Sequence, residues 1–516
     1  MTAPPPPPLP DWLEPLYGAE QMRAMDRWAI EQRGVPSLDL MERAGAGLAL
    51  CTDRAVSRGP VAVVCGKGNN GGDGFVAGRL LRELGRKVRV LLVADPAAYT
   101  GDAAINLERL DGAHEPFDPL ALDDAAVIVD AIFGTGFDGE PRGLAADAIE
   151  AIAVLDAPVV AADIASGVDA STGEAARVSI VANTTVTFAA AKPAHWIAPG
   201  KQQTGERHVI DIKIPPVGAP VTADVGLLTD RIHARVPRRD SAGTKFSSGH
   251  VVVAGGSRGL TGAPSLAAEA AMRAGAGYVT ALVPESLELI FETRLLEVMT
   301  HGLPDVHGAL SPGGIDAALE AIGRAGALVL GPGAGRDHAT FAFVRALAAR
   351  AKVPLLLDAD GLNAHAGMLD SLASRSAPTV LTPHAGELGR LLGASSDEVS
   401  RTRLRSAREA ARLANAVVVL KGDDTIVALP DGRAAVNGLS APALATAGTG
   451  DVLSGVIGAL LAKGLDPFVA ACAGVRRHAA AGRVAADEHG ADGVIASDVI
   501  AALPRAERGE PAEPGE

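Results

Sequence analysis

Two glycine-rich segments of the chain combine freely exposed backbone amides with groups that can move protons. The first is Gly66–Gly74 (GKGNNGGDG) and the second is Ala447–Asp451 (AGTGD). Both precede residues with helical spacing, and amides at a helix N-terminus bind anions. Because Asp451 could also accept a proton from a substrate hydroxyl, the second segment predicts phosphoryl transfer. The alternative is an ordinary helix whose Asp favours the positive end of the helix dipole.

Two further polar loops of the N-terminal half follow predicted strands, Asp130–Phe137 (DAIFGTGF) and Asp163–Asp169 (DIASGVD). In open α/β sheets, ligands bind at the carboxyl ends of the strands. Taken singly, each carboxylate also fits a helix N-cap or a turn. Gly66, Gly68 and Gly71 match a dinucleotide fingerprint with Asp95 as a possible ribose partner, although a tight turn without a ligand gives the same pattern.

The C-terminal half carries similar loops after its predicted strands. In TPHAGE, His384 could hold a substrate ring and Glu387 could support a metal-bound water, while a lone His is more often structural. Turn formation alone would also explain several of these loops. The loops are Gly331–Gly335 (GPGAG), Asp358–Asn363 (DADGLN), Thr382–Glu387 (TPHAGE) and Lys421–Thr425 (KGDDT).

The composition limits the possible functions. The 516 residues are too many for one core, so two large domains or three smaller ones are expected. A net charge of -14 argues against broad nucleic-acid binding. The three scattered cysteines fit a reducing, cytoplasmic location. We expect no secretory signal and no membrane span, and we expect disorder at 1–15 and 506–516.

The elements that must position these loops alternate between short apolar strands and helices. Residues 19–50 predict two helices, and strands with intervening helices then run to about 215. The same alternation of strands and helices begins again at GHVVVAGGS. It ends in two long predicted helices, which begin at Thr449 and Asp466. Parallel sheets with helices on both faces are expected, with a linker near 220–245.

The N-terminal motifs NNGGDG, DAIFGTG, the D-x-x-SG loop and TFAAAKP together resemble the NAD(P)H-hydrate epimerase family. The resemblance implies a Rossmann-like three-layer domain over 16–228 and a K+ ion held by Asn70, Asp130 and Ser166. Asp163 would be the catalytic acid–base group; Lys192 is a second candidate, with a solvated surface lysine as its alternative. Ala165 stands where the family usually has Pro. The residues implied to bind the hydrated cofactor are Asn69, Asn70, Gly71, Gly72, Asp73, Gly134, Thr135, Gly136, Phe137, Asp138, Gly139, Glu140 and Asp163.

The C-terminal half resembles the ribokinase-like superfamily and, within it, the ADP- or ATP-dependent NAD(P)H-hydrate dehydratases. The motifs that carry this resemblance are GSRGLTGAP, LGPG, LDADGLN, LTPHAGE, LKGDDT and AGTGDVLSG. It implies an α/β/α domain over 229–505 that uses ADP with Mg2+. Asp451 would be catalytic. The implied substrate-binding residues are Ala263, Gly333, Gly335, His384 and Asp451, and the implied nucleotide-binding residues are Lys421, Gly422, Asp423, Asp424, Thr425 and Gly450.

The two resemblances together imply a bifunctional repair enzyme. It would interconvert the R and S forms of hydrated NADH or NADPH and dehydrate the S form at the expense of ADP. We also expect a homo-oligomer. Three alternatives stay open: a small-molecule kinase, an NAD-dependent dehydrogenase built on the first half, and a nucleotide-binding module without activity.

Overall fold

The chain folds into two compact α/β units. The computed structural model describes residues 7–214 and 220–506. Within that range, one unit comprises 15–214 and 220–225, and the other comprises 226–506 with 7–14. The division lies three residues before the expected boundary at 228.

The N-terminal segment is ordered where it is described. Residues 13–16 form strand β1 (Leu13–Leu16), which lies beside Val225–Leu228 in a sheet. The buried ring of Trp12 lies 5.6 Å from the ring of Phe468. The expectation of disorder over 1–15 is therefore wrong for 12–15, because Trp12 and Leu13 are buried and a strand begins at Leu13. Residues 1–6, and 507–516 of the expected disordered tail, lie outside the described residues.

The N-terminal unit is built on a sheet of seven parallel strands. From one edge to the other, the strand order is β4, β3, β2, β5, β6, β7, β8. The strands are β2 (Val61–Cys65), β3 (Val88–Leu92), β4 (Glu115–Pro116), β5 (Val127–Ala131), β6 (Val159–Ala162), β7 (Thr184–Phe188) and β8 (Glu206–Ile210). The helices are α1 (Ala19–Glu31), α2 (Ser37–Ala55), α3 (Asn69–Glu83), α4 (Gly101–Glu108), α5 (Leu144–Ala153) and α6 (Gly200–Thr204).

Both faces of this sheet are covered, since every residue of β2, β5 and β7 is buried. Helix α3 packs so closely on one face that a Cβ at Gly74 would lie 2.8 Å from the sulfur of Cys65. The strand order reverses between β2 and β5, which makes the crevice beyond their carboxyl ends the expected ligand site.

The C-terminal unit contains an eleven-stranded sheet, ordered β1, β9, β20, β19, β18, β17, β16, β15, β10, β11, β12. Its seven strands from β18 to β12 are parallel, whereas β19 and β20 are antiparallel additions. The strands of this half are β9 (Val225–Leu228), β10 (His250–Ala254), β11 (Tyr278–Pro284), β12 (Met299–Leu303), β13 (Asp305–Val306), β14 (Ala309–Leu310), β15 (Ala327–Leu330), β16 (Leu355–Leu357), β17 (Thr379–Leu381), β18 (Val417–Leu420), β19 (Ile426–Ala428) and β20 (Ala434–Asn437).

Helices cover both faces of this second sheet, since every residue of β15, β18 and β20 is buried. The helices are α7 (Gly262–Arg273), α8 (Glu288–Arg294), α9 (Ile315–Ile322), α10 (His338–Arg350), α11 (Asp360–Asn363), α12 (Ala385–Leu392), α13 (Ser396–Arg401), α14 (Arg403–Ala414), α15 (Thr449–Ala462), α16 (Pro467–His489) and α17 (Ala496–Ala506). None of the helices in the described part is long and apolar enough to cross a membrane.

Two details differ from the sequence prediction. The predicted linker at 220–245 contains β9, with Val225 and Leu228 buried, and a short 3-10 helix with buried Ile232. Strand β9 has only four residues, which is too few to show a hydrophobic periodicity in the sequence. The chain also ends in three helices, because α17 follows the two that were predicted.

Candidate active sites

The N-terminal unit has a cavity of about 900 Å³ at the carboxyl ends of its central strands. The loops after β2 and β5 line it together with side chains from α1 and α2. The predicted residues that line it are Asn69, Asn70, Asp73, Gly134, Thr135, Gly136, Phe137, Asp138, Glu140, Asp163 and Lys192. The polar loops that the sequence singled out therefore converge on one space, which is large enough for a small organic ligand.

Three of the residues predicted to bind the hydrated cofactor do not line the cavity: Gly71, Gly72 and Gly139. A Cβ at Gly71 would lie 1.8 Å from the carbonyl oxygen of Gly66, and one at Gly72 would lie 2.6 Å from the sulfur of Met41. These two glycines let the loop turn back on itself and α3 pack against α2. They shape the site rather than touch its contents.

Asp163 is the most constrained group of this site. Its backbone φ of 66° lies in the left-handed region, which is a strained conformation for a non-glycine residue. The ammonium of Lys192 lies 2.5 Å from Asp163 Oδ1, and the hydroxyl of Thr187 donates to the same oxygen at 3.0 Å. The backbone N–H and the hydroxyl of Thr135 both donate to Oδ2.

The charge state of Asp163 follows from this setting. Burial raises its pKa, but the charge and hydrogen bond of Lys192 and the hydrogen bond from Thr135 outweigh burial and lower the pKa to about 2. Lys192 is only 1% exposed, so the alternative of a solvated surface lysine is wrong. Asp163 is thus an ionised carboxylate whose orientation is fixed by Lys192 and Thr135.

A second cluster in this unit is rich in oxygen atoms and lies at the carboxyl end of β5. Ser166 Oγ donates to Asp130 Oδ1 at 2.6 Å and lies 3.3 Å from the carbonyl oxygen of Phe133. Burial raises the pKa of Asp130 to about 6, against the hydrogen bonds from Ser166 and Ile132. Asn70 Nδ2 is buried without a partner, and its Oδ1 lies 2.9 Å from where a Cβ at Gly134 would be. Such oxygen donors suit a hard cation.

The nucleotide-binding residues predicted in the C-terminal unit also converge. A cavity of about 220 Å³ is lined by Lys421, Gly422, Asp423, Thr425 and Gly450. Gly448, with φ of 90°, precedes the first residue of α15, so the chain turns sharply into the helix. The first residues of α15, Thr449 and Gly450, line this cavity, and amides at a helix N-terminus bind anions.

Asp451 lies in the first turn of α15, among other carboxylates. Burial raises its pKa to about 7, the negative charges of Asp358 and Glu387 add to that rise, and Lys421 opposes it. Lys421 Nζ lies 2.9 Å from Asp358 Oδ1 and 3.7 Å from Glu387. A carboxyl group with this pKa suits a general base near neutral pH.

The other predicted substrate-binding residues lie in the first turn of α7, on the loop after β15 and at the N-cap of α12. A Cβ at Gly333 would lie 3.3 Å from Ala263, which shows that these two residues are adjacent. The N–H of Gly335 donates to Asp360 at 3.0 Å, and Asp360 contributes to the raised pKa of Asp451. His384 caps α12, with Nδ1 accepting from Gly386 N–H, while the other ring nitrogen lies 3.6 Å from Glu387.

The comparisons with known proteins cover both units. A family model for NAD(P)H-hydrate dehydratase matches residues 251–505, and a model for the YjeF-related protein N-terminus matches 37–194. The bifunctional NAD(P)H-hydrate repair enzyme Nnr of Moorella thermoacetica is 41% identical over 507 residues, covering 95% of this chain and 96% of the relative. The Escherichia coli enzyme of that name is 34% identical over 500 residues, covering 95% and 93%.

The chain belongs to the family of bifunctional NAD(P)H-hydrate repair enzymes. Family membership confirms the expectation from the motifs that this is an enzyme with an epimerase and a dehydratase domain. Among solved structures, the ADP/ATP-dependent NAD(P)H-hydrate dehydratase of Bacillus subtilis is 30% identical, with a TM-score of 0.48 over 55% of this chain and 97% of that chain.

Two carboxylates predicted for this repair enzyme's sites are used elsewhere. Asp424 does not line the nucleotide cavity, because its carboxylate accepts from buried Arg403 at 2.9 Å. Asp95, the possible ribose partner, caps a short 3-10 helix by accepting from Ala97 N–H. Both are explained by local structure that a motif does not reveal.

Several site residues of the repair enzyme were not predicted. His195 accepts from the Lys192 N–H through Nδ1 and lies 3.1 Å from the Asp163 carbonyl through Nε2; burial lowers its pKa to about 4. The sequence could have indicated His195 only through its position three residues after the candidate residue Lys192. Asn437 and His478 line the nucleotide cavity, and His478 Nε2 is buried without a partner. Both are remote in sequence from the motifs.

Proposed function

We propose that the N-terminal unit interconverts the R and S forms of hydrated NAD(P)H and that the C-terminal unit dehydrates the S form with ADP. The observation that carries the first assignment is the ionised Asp163 held by Lys192 at the wall of a ligand-sized cavity. Asp451, on the first turn of α15 beside the nucleotide cavity, supports the second.

In the epimerase site, the ring of the substrate would lie against Asp163, with its phosphates near the start of α3. Epimerisation requires that the hydroxyl-bearing ring carbon opens and recloses, and Asp163 can take and return the hydroxyl proton. The Asp163 carboxylate is already ionised, and Lys192 fixes the orientation of its side chain. The site therefore needs little reorganisation when the substrate reacts.

The oxygen cluster of Asp130, Ser166 and the nearby Asn70 fits the K+ ion implied by the family resemblance, since it offers carboxylate, hydroxyl and amide oxygens. The cation would supply positive charge close to the phosphate-binding loop. These three residues would hold it, and the loops after β5 and β6 would be fixed by the same contacts.

In the dehydratase site, Asp451 accepts the proton of the substrate hydroxyl, and the hydroxyl oxygen attacks the terminal phosphoryl group of ADP. AMP leaves, and a phosphate ester of the substrate forms. Phosphate then departs with the C–O electron pair, a proton leaves the adjacent ring carbon, and the ring double bond is restored. The amides of the Gly448–Asp451 turn stabilise the transferring phosphoryl group.

The nucleotide would lie along Lys421 to Thr425, with Gly450 close to its phosphates. A Cβ at Gly450 would be 3.3 Å from Lys421 Nζ, which places the ammonium next to the turn. The carboxylates of Asp358, Asp360 and Glu387 are the donors that Mg2+ prefers, so this region fits a nucleotide-bound Mg2+ that neutralises phosphate charge.

The deciding experiment is repair of the S hydrate by the full chain, followed by the absorbance of the reduced nicotinamide ring. We expect recovery with ADP, and a parallel reaction with ATP compares the two nucleotides. Recovery without any nucleotide would contradict the proposal. A stable phosphorylated alcohol as product would favour a small-molecule kinase, and hydride transfer with intact NADH would favour a dehydrogenase. The expected homo-oligomer and cytoplasmic location stay predictions.

A further inference from the structure

One face of α1 lines the epimerase cavity, although no motif of the N-terminal half includes this helix. Its cavity-lining residues are Met22, Arg23, Asp26 and Ile30. Met25 and Trp28 are buried. Asp26 therefore places a carboxyl group on the cavity wall, four residues from an apolar neighbour on either side. Apolar packing gives no reason for a carboxyl group at that position.

The groups that act on Asp26 from other elements are the catalytic pair and one carboxyl of α3. The positive charge of Lys192 lowers the pKa of Asp26, and the negative charge of Asp163 raises it. The negative charge of Asp26 in turn raises the pKa of Asp73. Arg23, on the same helix, also faces the cavity. Lys192 is 2.5 Å from Asp163, so its charge is already matched by that carboxylate.

Neither Asp26 nor Asp73 makes a side-chain hydrogen bond or ion pair with any other residue in the described part of the chain. One ammonium thus faces three carboxyl groups, and only Asp163 is paired with it. Burial disfavours the charged form of a carboxyl group that has no ion pair, so it raises the pKa of such a group. Burial accordingly raises the pKa of Asp26 to about 6 and that of Asp73 well above its usual value.

The cavity is therefore lined by an ionised carboxylate, Asp163, and by a carboxyl group of raised pKa, Asp26, and two carboxyl groups with pKa values set apart are typical of a paired base and acid. Asp73 is 8% exposed and is the fifth residue of α3, close to the phosphate-binding loop. Asp26 is more open to the cavity and to exchange with water. Of these two groups with raised pKa values, Asp26 is the one that can give a proton to a ligand and recover it.

We propose that Asp26 is the second acid–base group of the epimerase site and serves the ring nitrogen while Asp163 serves the hydroxyl. This rests on the proposed function of the N-terminal unit. In the hydrate, the hydroxyl-bearing carbon is bonded to the ring nitrogen, so proton transfers at both atoms allow that bond to open.

The step balances without a co-reactant. Asp163 takes the hydroxyl proton, a C=O bond forms, and the C–N bond breaks with its electron pair going to nitrogen, which takes a proton from Asp26. The open aldehyde rotates. Nitrogen then attacks the other face of the carbonyl, its proton returns to Asp26, and the new hydroxyl takes the proton from Asp163. Both carboxyl groups end in their starting states.

The test compares Asp26→Asn with Glu31→Gln, which removes an exposed carboxylate from the same helix outside the cavity. The conversion of pure R hydrate to S hydrate is measured in the full chain without nucleotide, because dehydration cannot then consume the S hydrate. S-hydrate repair with ADP is measured on the same samples. We expect Asp26→Asn to lower kcat for epimerisation by about 10²–10⁴-fold, with KM and S-hydrate repair unchanged. Glu31→Gln should match the wild type, and Asp26→Glu should recover part of the rate.

The pH profile separates a proton donor from a structural residue. The wild-type rate of epimerisation should decline as the pH rises through the pKa of Asp26, because the proton donor is then ionised. This descending limb of the pH–rate profile should be absent in Asp26→Asn. A rate for Asp26→Asn within about twofold of the wild type, or a loss that lies in KM with the limb retained, would overturn the proposal. If the wild-type chain itself does not interconvert the epimers, the proposed function of this unit fails instead.

Discussion

Replacing Lys192 by Met tests how the epimerase site holds its base. The substitution keeps most of the side-chain volume and removes the ammonium paired with Asp163. In the folded protein the pKa of Asp163 is lowered from its ordinary value of 3.8 to about 2. At about 1.4 kcal/mol for each pKa unit, this shift corresponds to about 2–3 kcal/mol of interaction. Leaving a buried carboxylate unpaired costs about 3–5 kcal/mol in comparable cases.

The sign of the pH effect follows from the lowered pKa. The pair stabilises the fold at pH values above 3.8, and this stabilisation is lost as the pH falls toward 2. At neutral pH we therefore expect Lys192→Met to lower the unfolding midpoint of the N-terminal unit by roughly 6–20 °C. Epimerisation should also be lost, because the pKa of Asp163 rises and its orientation is no longer fixed.

The assay is thermal unfolding by calorimetry, with epimer conversion measured on the same samples. Lys87→Met, which removes an exposed lysine of the same unit, is the matched control. The double variant Lys192→Met with Asp163→Asn should recover much of the stability, because position 163 then carries no charge that lacks its partner. A Lys192→Met protein as stable as the control, or a double variant less stable than the single one, would refute the reasoning.

Three further predictions concern the other parts of the two sites. The kcat/KM for S-hydrate dehydration should fall about tenfold per pH unit below the Asp451 pKa of about 7, since the base is then protonated; a flat pH–rate profile there would contradict this. Gly71→Ala should abolish epimerisation because its Cβ would lie 1.8 Å from the Gly66 carbonyl oxygen, whereas Gly68→Ala, with open space at its Cβ, should be tolerated. Ser166→Ala should raise the K+ concentration needed for half-maximal epimerisation, and an unchanged K+ titration would count against the proposed cation site.

The strands and loops of both units could be predicted from the sequence, because buried parallel strands are short apolar runs followed by Gly-rich turns. The apolar runs before Gly66 and before Asp130 predicted β2 and β5. The polar loops after these strands were expected to meet at one edge of the sheet. The cavity in the structure confirms that meeting.

What the sequence did not reveal depends on tertiary neighbours. Asp26 belongs to none of the motifs, and only the packing of α1 places it at the cavity. Asp424 lies within a nucleotide motif but pairs with Arg403, which is distant in sequence. Trp12 follows a proline run whose composition indicates disorder, yet its ring is buried in the C-terminal unit.

The central claim is that one chain carries two separate sites that act in sequence, and repair of pure R hydrate in the presence of ADP tests it most directly. The account predicts that Asp163→Ala leaves R hydrate unrepaired but still repairs S hydrate. It predicts that Asp451→Ala repairs neither form while still converting R to S, and that mixing the two variants restores repair of R hydrate. Repair of R hydrate by Asp163→Ala at the wild-type rate, or no restoration on mixing, would contradict it.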